Sequence, residues 1–400
     1  MFVRKQKRRY FDHSSGTPID PQVFRAMQPY YRDIFYNPGA IYREGVQVRE
    51  VVNQARRDIA NILSAQPEEI IFVDGGTEAN NLAILGTVRV WQKEHPDSIP
   101  HIITTCIEHV SVLETCRNLE REGVRVDYLG VNEYGSINIS ELKQTISEHT
   151  VLVSIGYVNG EIGTIQNIRE VTKTIRHYRK HHQSLYPYVH TDAVQAVNYV
   201  DEIGVPQLGI DLMTLSGAKI YGPKKIAVLF VKKGLSIEPI LFGGGQESGL
   251  RSGTENVPAI VGMACSLNLA RTYQDQEAQR LKLLQEYLIG ELKKNFSVII
   301  NAEHAEKIPN IVNVTFPHLS HEEIVIRLDA VGILCSMKSA CKSGEEGDSH
   351  VIQALRQGAE YTGSIRFSFG RQTQKQDIDY LLDALKTIIR GMYQTKELLI

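Results

Sequence analysis

The sequence lacks an excess of charge of either sign. Its 400 residues carry 44 Lys and Arg against 46 Asp and Glu, which gives a formal net charge of −2 at pH 7. A balance of this kind generates no field that would draw the protein to nucleic acid or to a membrane surface. We therefore expect neither nucleic acid nor a membrane as a main partner, and a small anionic substrate would have to be bound by particular residues.

Long apolar runs are also missing. No stretch approaches the ~20 apolar residues that a membrane-spanning helix requires. The basic start MFVRKQKRR is not followed by the apolar region of a secretory signal. The expected location is therefore the cytoplasm.

Cysteine is scarce. The chain has five cysteines, at positions 106, 116, 265, 335 and 341. Their number is odd and their spacing matches no metal-ligand motif, so we predict reduced thiols and no metal site.

Short apolar segments alternate with segments of helical periodicity along the first 240 residues. This alternation predicts an α/β fold with a mixed, mostly parallel sheet flanked by helices, and ligands of such sheets bind beyond the carboxyl ends of the strands. The Gly-rich loop LFGGGQESGLRSGTENVP, which begins at residue 241, interrupts the alternation. We predict a large domain over residues 15–256 and a smaller α+β domain made of residues 1–14 and 257–400.

One stretch, residues 211–231 (DLMTLSGAKIYGPKKIAVLFV), places a lysine in a tight connection between two apolar runs. The pattern predicts two buried strands with Lys219 at the turn between them. A lysine held there has little side-chain freedom, which suits a Schiff-base lysine that attacks a bound aldehyde. The alternative is a surface lysine beside a β-turn.

Candidate residues also follow two earlier strands. Gly76 and Thr77, in FVDGGTEANN, open a helix whose first amides can cradle an anion; the alternative is a Gly-Gly turn with a Thr cap. His109 begins the helix after the next strand and is suited to lie over a heterocycle and exchange protons. The alternative for His109 is a helix-start histidine in solvent.

Polar residues end two further strands. Asp192, in YVHTDAVQ, can fix a proton on a ring nitrogen and so make that ring a better electron sink, with Gln195 three residues later; the alternative is a buried capping Asp. Asn159, in YVNGEIGTIQ, is placed to donate to a ring oxygen.

Two candidates lie near the carboxyl end of the chain. Cys341 lies in LCSMKSACKSGEE, which has no helical or strand periodicity and is expected to be exposed and mobile. Lys338 and Lys342 flank Cys341, and nearby positive charge lowers a thiol pKa; the alternative is an inert surface thiol. Arg366, in SIRFSFG, is suited to bidentate capture of a carboxylate or, alternatively, to a structural salt bridge.

The order of these segments resembles one family over nearly the whole chain. The segments read YFDHSSGTPIDPQV, GGTEANNLAI, EH at 108 and 109, VNGEIGTIQ, HTDAVQ, SGAKIYGPK, GGGQESGLRSGTENVP, SAC at 339–341 and SIRFSFGR. Together they are similar to the cysteine desulfurases in the class V aminotransferase group of pyridoxal 5′-phosphate (PLP) enzymes.

The resemblance implies a PLP-dependent transferase of fold type I and a homodimer with its sites at the subunit interface. Lys219 would bind PLP covalently, His109 would stack on its ring, Asp192 would pair with the pyridine nitrogen, and Asn159 and Gln195 would contact the ring-oxygen side. Gly76, Thr77 and Ser216 would hold the phosphate, joined by Thr254 of the partner subunit. Arg366 and Asn159 would bind the substrate.

The implied activity is conversion of L-cysteine to L-alanine, with sulfur held as a persulfide on Cys341. The sulfur would pass to an acceptor protein for iron-sulfur cluster assembly or tRNA thiolation. Alternatives are a selenocysteine lyase, a related class V lyase or aminotransferase, and a PLP-retaining scaffold with little turnover. The chain departs from the family pattern at Ala218, Ser248, Gly160 and Lys338.

Overall fold

The computed structural model describes residues 8–337, 349–356 and 363–397, with the side chains of the last helix described as far as residue 394. The strands are β1 (Arg9–Tyr10), β2 (Ile70–Val73), β3 (His101–Thr105), β4 (Arg125–Leu129), β5 (Thr150–Ser154), β6 (Tyr188–Asp192), β7 (Leu212–Ser216), β8 (Ala227–Val231), β9 (Ile299–Ile300), β10 (Ile311–Thr315), β11 (Ile333–Leu334) and β12 (Ile365–Ser368).

The helices are α1 (Pro21–Met27), α2 (Pro29–Arg32), α3 (Arg43–Leu63), α4 (Gly76–Glu94), α5 (Val110–Arg121), α6 (Ile139–Thr145), α7 (Ile168–His182), α8 (Val205–Leu208), α9 (Val257–Asn295), α10 (His321–Ala330), α11 (His350–Leu355) and α12 (Lys375–Glu397). Short 3₁₀ turns span Pro67–Glu69, Gly217–Lys219 and Glu247–Gly249.

A seven-stranded sheet organises the larger part of the described chain. Its strand order is β2-β8-β7-β6-β5-β3-β4, and β8 runs antiparallel to both of its neighbours while the other adjacent pairs are parallel. The prediction of a mixed, mostly parallel sheet flanked by helices is therefore confirmed. Because the parallel strands share one direction, the loops that follow them meet at one edge.

Both faces of this sheet are buried, which explains the apolar strands. In β2, Ile70 and Phe72 belong to one apolar cluster, whereas Ile71 and Val73 belong to another. Successive side chains of a strand point to opposite faces, so a strand covered on both sides needs apolar residues at every position. Helices α3 and α7 cover the first face, and α4 and α5 cover the second.

Besides these two clusters, a further apolar cluster contains residues from the carboxyl-terminal part of the chain together with Phe11. We call it the second cluster, and we call the cluster that contains Ile70 and Phe72 the large-sheet cluster. The second cluster packs on the antiparallel sheet β12-β10-β9, beside the parallel pair of β1 and β11. Helix α9 has buried residues in both regions: its first half packs on the large-sheet cluster, and Leu281, Leu288 and Leu292 pack in the second cluster. The predicted boundary between residues 15–256 and 257–400 stays a prediction.

The sequence does not predict every element, and β4 and α6 are two examples. Strand β4 lies at the sheet edge and is only partly buried, so its sequence RVDYL lacks a continuous apolar run. Helix α6 has only seven residues. Strand β5 ends at Ser154, because from Gly156 onward the backbone bonds to the Glu108 carboxylate and to the Asp192 carbonyl.

None of the described helices is long and apolar enough to cross a membrane.

Candidate active site

A cavity of about 270 Å³ lies beyond the carboxyl ends of the parallel strands. Nine of the predicted site residues line it: Gly76, Thr77, His109, Asn159, Asp192, Gln195, Ser216, Lys219 and Arg366. Eight of them follow or end strands of the large sheet, and Asp192 and Ser216, for example, are the last residues of β6 and β7. Arg366 reaches the cavity from within β12 of the smaller sheet. Two predicted residues are not among them. Thr254 is exposed and does not line the cavity, and Cys341 lies outside the described residues.

Lys219 ends the 3₁₀ turn that follows β7. Its amine donates to the Ser15 carbonyl oxygen at 2.5 Å, and its own carbonyl accepts a hydrogen bond from Asn198 at 2.8 Å. The turn is tight because a Cβ atom at Gly217 would lie 2.8 Å from the Pro223 carbonyl oxygen. Glycine is therefore required two residues before the lysine, and the amine is held at the cavity wall.

Asp192 is held from two sides. One carboxylate oxygen accepts from the Val194 amide at 3.0 Å, and the other accepts from the Asn80 side-chain amide at 2.8 Å. Sequence reasoning missed Asn80, which is only 1% exposed. It lies four residues after Gly76 on α4 and therefore on the same helix face, so a polar residue at this spacing was the available signal.

His109 is the N-cap residue of α5, as its position before that helix predicted. Its Nδ1 accepts from the Ser111 backbone amide at 3.2 Å and lies 2.8 Å from the Ser111 hydroxyl. A capping side chain of this kind satisfies a helix amide that has no intrahelical partner. The imidazole is thereby fixed at the cavity wall.

The predicted anion cradle lies at the start of α4. A Cβ atom at Gly76 would come within 3.3 Å of Val194 Cγ2, so the helix start fits closely against the loop after β6. Glu78, whose charge would oppose an anion, bonds instead to the Asp74 amide at 3.0 Å and to Arg251 at 3.1 Å. The helix dipole and the first amides remain the favourable features for an anion here.

Asn159 and Gln195 both bond to backbone groups beside the cavity. The Asn159 amide donates to the Ile107 carbonyl at 2.9 Å, and its oxygen accepts from the Glu161 amide at 2.9 Å. Gln195 donates to the Ser14 carbonyl at 3.0 Å. Both side chains therefore hold neighbouring loops in place at the cavity wall.

Arg366 on β12 makes the salt bridge that was its alternative interpretation. One guanidinium nitrogen lies 2.7 Å from the Asp12 carboxylate and 2.7 Å from the Ser15 hydroxyl, and another donates to the Gly160 carbonyl at 2.9 Å. The Nε of Arg366 is buried without a hydrogen-bond partner among the residues that the structure describes. Arg366 therefore lines the cavity with one donor still to be satisfied.

Glu108 is a second residue that sequence reasoning did not assign a role. It lines the cavity, is 5% exposed, and accepts from the Gly156 amide at 2.9 Å and from the Thr105 hydroxyl at 2.8 Å. Burial raises the pKa of its carboxyl to about 7, which the Gly156 hydrogen bond partly opposes. A proton can therefore be exchanged at this position near neutral pH.

The four described cysteines are free thiols. Burial raises the thiol pKa of each, to about 12 for Cys116 and Cys335. Cys335 packs against the second apolar cluster. None of these four is therefore poised as a thiolate near neutral pH.

The described residues fit PLP. The cofactor needs an amine for its aldehyde, an anion beside its ring nitrogen and amide donors for its phosphate, and the cavity offers Lys219, Asp192 and the start of α4. Within the described ranges, no group of three or more His, Cys, Asp or Glu side chains is arranged to hold a metal ion.

Comparison with known proteins gives consistent matches. The aminotransferase class-V family model matches residues 9–381. A cysteine desulfurase IscS from Dictyoglomus turgidum is 39% identical over 385 residues, which is 96% of this chain and 95% of that protein. A protein of the same name from Methanosarcina thermophila is 40% identical over 384 residues, covering 96% and 92%.

Two solved structures have the same overall arrangement. A NifS-like protein superposes with a TM-score of 0.87 at 32% identity, covering 96% of this chain and 100% of that one. SspA in complex with cysteine superposes with a TM-score of 0.77 at 32% identity, covering 91% and 99%.

Proposed function

We propose that this protein converts L-cysteine to L-alanine and holds the sulfur as a persulfide on Cys341. The chain belongs to the class-V aminotransferase family and, within it, to the PLP-dependent cysteine desulfurases. The observation that carries this proposal is the gathering of Lys219, Asp192 and Arg366 around one cavity. An amine, an anion and a guanidinium in one site match an amino acid substrate with a carboxylate.

Each residue has a separate task in this proposal. Asp192 would hold the protonated ring nitrogen of PLP, His109 would lie against the ring, and Gly76, Thr77 and Ser216 would hold the phosphate. When bound, PLP supplies the electron sink for the substrate carbon atoms. Asn159 and Gln195 would contact its ring-oxygen side.

Substrate binding and proton transfer fall to Arg366 and Lys219. Arg366 binds the cysteine carboxylate and so fixes the α-carbon. The Lys219 amine takes the proton from that α-carbon. The Ser15 carbonyl, which accepts from the amine at 2.5 Å, keeps Lys219 at the wall until the site is occupied.

In the proposed sulfur transfer, the Cys341 thiolate attacks the substrate sulfur. An S–S bond forms while the Cβ–S bond breaks, and the electrons of the broken bond stay with the β-carbon. That carbon takes up a proton and becomes the methyl group of alanine. The protein thiol and cysteine thus become a protein persulfide and alanine, with no external oxidant. The choice of Cys341 is supported by the raised thiol pKa values of the four described cysteines.

The activity test is an assay of alanine and sulfide released from L-cysteine by the purified holoenzyme. We expect Cys341→Ala to lose at least 95% of the activity (about 20-fold, or 1.8 kcal/mol in the barrier) while binding PLP normally. Cys265→Ala, a half-buried thiol on α9, is the matched control. Full activity in Cys341→Ala would contradict the persulfide route. A preference of the wild-type enzyme for selenocysteine over cysteine would indicate a selenocysteine lyase. Binding of PLP by the wild-type protein without alanine formation would indicate a scaffold.

The lysine assignment has its own test. Lys219→Ala should remove the visible absorbance that a lysine-bound PLP gives the protein. An unchanged spectrum in this variant would contradict the assignment.

We also propose a homodimer in which Thr254 reaches the site of the partner subunit. Support comes from a set of exposed large apolar residues on α1, α2, the loop between α2 and α3, the start of α3 and the Gly-rich loop: Phe24, Tyr31, Phe35, Ile41, Tyr42, Val46, Leu241 and Phe242. Ile41 is 95% exposed, and apolar surface of this extent is typical of protein interfaces. Thr254 is exposed at the end of the same loop.

Sedimentation velocity tests the dimer. We expect the wild-type protein to sediment as a dimer and Phe35→Asp with Ile41→Asp to shift it toward a monomer with weaker PLP binding. Leu283→Asp, an exposed apolar residue on α9, is the control and should remain dimeric. A monomeric wild-type protein with full PLP affinity would contradict the proposal.

The cytoplasm is the proposed location, because a thiolate carrier requires a compartment that keeps thiols reduced. From Cys341 the sulfur would pass to an acceptor protein, for iron-sulfur cluster assembly or tRNA thiolation.

A further inference from the structure

Asn80 connects the two ring-binding residues of the cavity. Its amide nitrogen lies 2.8 Å from a carboxylate oxygen of Asp192 and 2.9 Å from the Ser111 hydroxyl. Ser111 in turn lies 2.8 Å from Nδ1 of His109. A continuous row of hydrogen bonds therefore runs from Asp192 through Asn80 and Ser111 to His109.

Asp192 determines which group donates and which accepts in each hydrogen bond of this row. A carboxylate oxygen can only accept, so Asn80 must turn its NH₂ group toward Asp192. The two hydrogens of that group then serve Asp192 and Ser111. The reversed amide would set its oxygen against a carboxylate, and the observed Oδ1 is buried without a partner in the described part of the chain.

The same direction continues to His109. Because the Ser111 oxygen accepts from Asn80, its own hydrogen can point to Nδ1 of His109. The Ser111 backbone amide also donates to Nδ1, at 3.2 Å. Two donors aimed at one ring nitrogen require that this nitrogen carry no proton.

We infer that Asn80 and Ser111 are positioning residues: they lock the Asp192 carboxylate and the His109 ring into one relay and keep the proton of the neutral His109 ring on Nε2. This inference rests on the proposed function, in which Asp192 and His109 contact PLP. Its consequence is that Nδ1 is committed to the relay, so Nε2 is the ring nitrogen through which His109 exchanges a proton.

The tautomer can be measured directly. In the holoenzyme labelled with ¹⁵N-histidine, long-range ¹H–¹⁵N correlation at pH 8 should show His109 protonated on Nε2, with the resonance identified by its loss in His109→Gln. A proton on Nδ1 would overturn the inference. This measurement needs no relay variant and no turnover.

A double-mutant cycle tests the coupling. The dissociation constant of PLP, measured by absorbance on the apoprotein, should rise about tenfold in Asn80→Ala and in Ser111→Ala, the size of one lost hydrogen bond to a charged network. Because either change breaks the same row, the double variant should also be weaker by about tenfold. Thr115→Val removes a neighbouring hydroxyl on α5 whose partner, among the described residues, is the Ser111 backbone carbonyl and not its hydroxyl, and this variant should match the wild type.

Two results would contradict the relay: a hundredfold loss in the double variant, which would mean independent contributions, or single variants that match Thr115→Val. Failure of the proposed desulfurase reaction would show separately, as absence of alanine from the wild-type enzyme with the PLP affinities and the tautomer as expected.

Discussion

At the scale of single residues, the cavity wall contains an acid whose charge depends on burial. Glu108 bonds to the Gly156 amide and the Thr105 hydroxyl, but it is removed from water, and its pKa is raised to about 7. An unfolded chain would ionise this carboxyl near the ordinary value of 4.5. Between these two values the folded protein binds more protons than the unfolded chain, so stability falls as pH rises and levels off above pH 7.

Glu108→Gln should remove this dependence, because a neutral amide oxygen can still accept from Gly156 and Thr105. We expect the stability of the variant relative to the wild type to increase by about 2 kcal/mol between pH 5 and pH 8. Urea unfolding of both proteins at the two pH values measures it. Glu114→Gln, an exposed change on α5, should show no such trend.

A second prediction for a single residue concerns Arg366, which forms a salt bridge with Asp12. The Arg366 side chain is 3% exposed and the Asp12 side chain 19% exposed. Arg366→Gln leaves the Asp12 carboxylate without its partner, so we expect a loss of about 3 kcal/mol in unfolding free energy. It should also raise KM for cysteine at least tenfold (about 1.4 kcal/mol of carboxylate binding).

Asp12→Asn separates the two effects in Arg366. It keeps an oxygen that can accept from the guanidinium but removes the competing charge, so KM for cysteine should stay level or fall. An equal rise of KM in both variants would show that the salt bridge, and not carboxylate binding, is what Arg366 provides.

At the scale of elements, the 3₁₀ turn Glu247–Gly249 anchors the Gly-rich loop. The Glu247 carboxylate accepts from Arg56 on α3 at 2.6 Å and from the Phe72 amide on β2 at 2.8 Å, while Arg56 also donates to the Ile70 carbonyl. Glu247 and Ser248 both have positive φ, 48° and 58°, which costs energy for residues with side chains. The ion pair therefore holds a loop that would relax without it.

Glu247→Gln should cost about 3 kcal/mol of unfolding free energy, because the Arg56 side chain, which is 17% exposed, keeps its charge but loses its carboxylate partner. Because Thr254 follows in the same loop, PLP affinity should fall as well. Ser248→Gly serves as the opposite change: it relieves the positive φ and should leave PLP affinity unchanged. Thermal unfolding and PLP titration of the two variants check both expectations.

Sequence patterns predicted elements well where burial acts on a whole segment. Strand β2 and helix α3 follow from their apolar patterns, and β2 is buried along its whole length although it lies at a sheet edge. Strand β4, at the opposite edge, is only partly buried and therefore requires no continuous apolar run. Among the cavity residues, those at strand ends were predictable from position. Asn80 and Glu108 were not assigned roles, because what they do depends on partners that only the folded chain brings close, such as Asp192 and Gly156.

At the scale of the molecule, α9 joins the two apolar clusters. Its 39 residues pack on the large-sheet cluster in the first half and on the second cluster from Leu281 onward. A continuous helix shared by two clusters couples their stabilities, because unfolding one half exposes the end of the other. We therefore expect the described regions to unfold together.

Leu288→Ala tests that coupling. Leu288 is fully buried in the second cluster, so its truncation should cost about 3 kcal/mol. If the clusters are coupled, the loss of PLP absorbance and the loss of helical circular dichroism should shift to lower temperature together. A PLP transition that stays at the wild-type temperature while the helical signal shifts would show two independent units.

The contact between Asp12 and Arg366 has a consequence for the newly made chain. The two residues are 354 positions apart, yet they meet beside Ser15, whose carbonyl holds the Lys219 amine. During translation, the strands that carry the PLP-binding residues leave the ribosome long before Arg366 does. The nascent protein can therefore build the cofactor half of its site first, and the half for the substrate carboxylate is completed only near the end of synthesis.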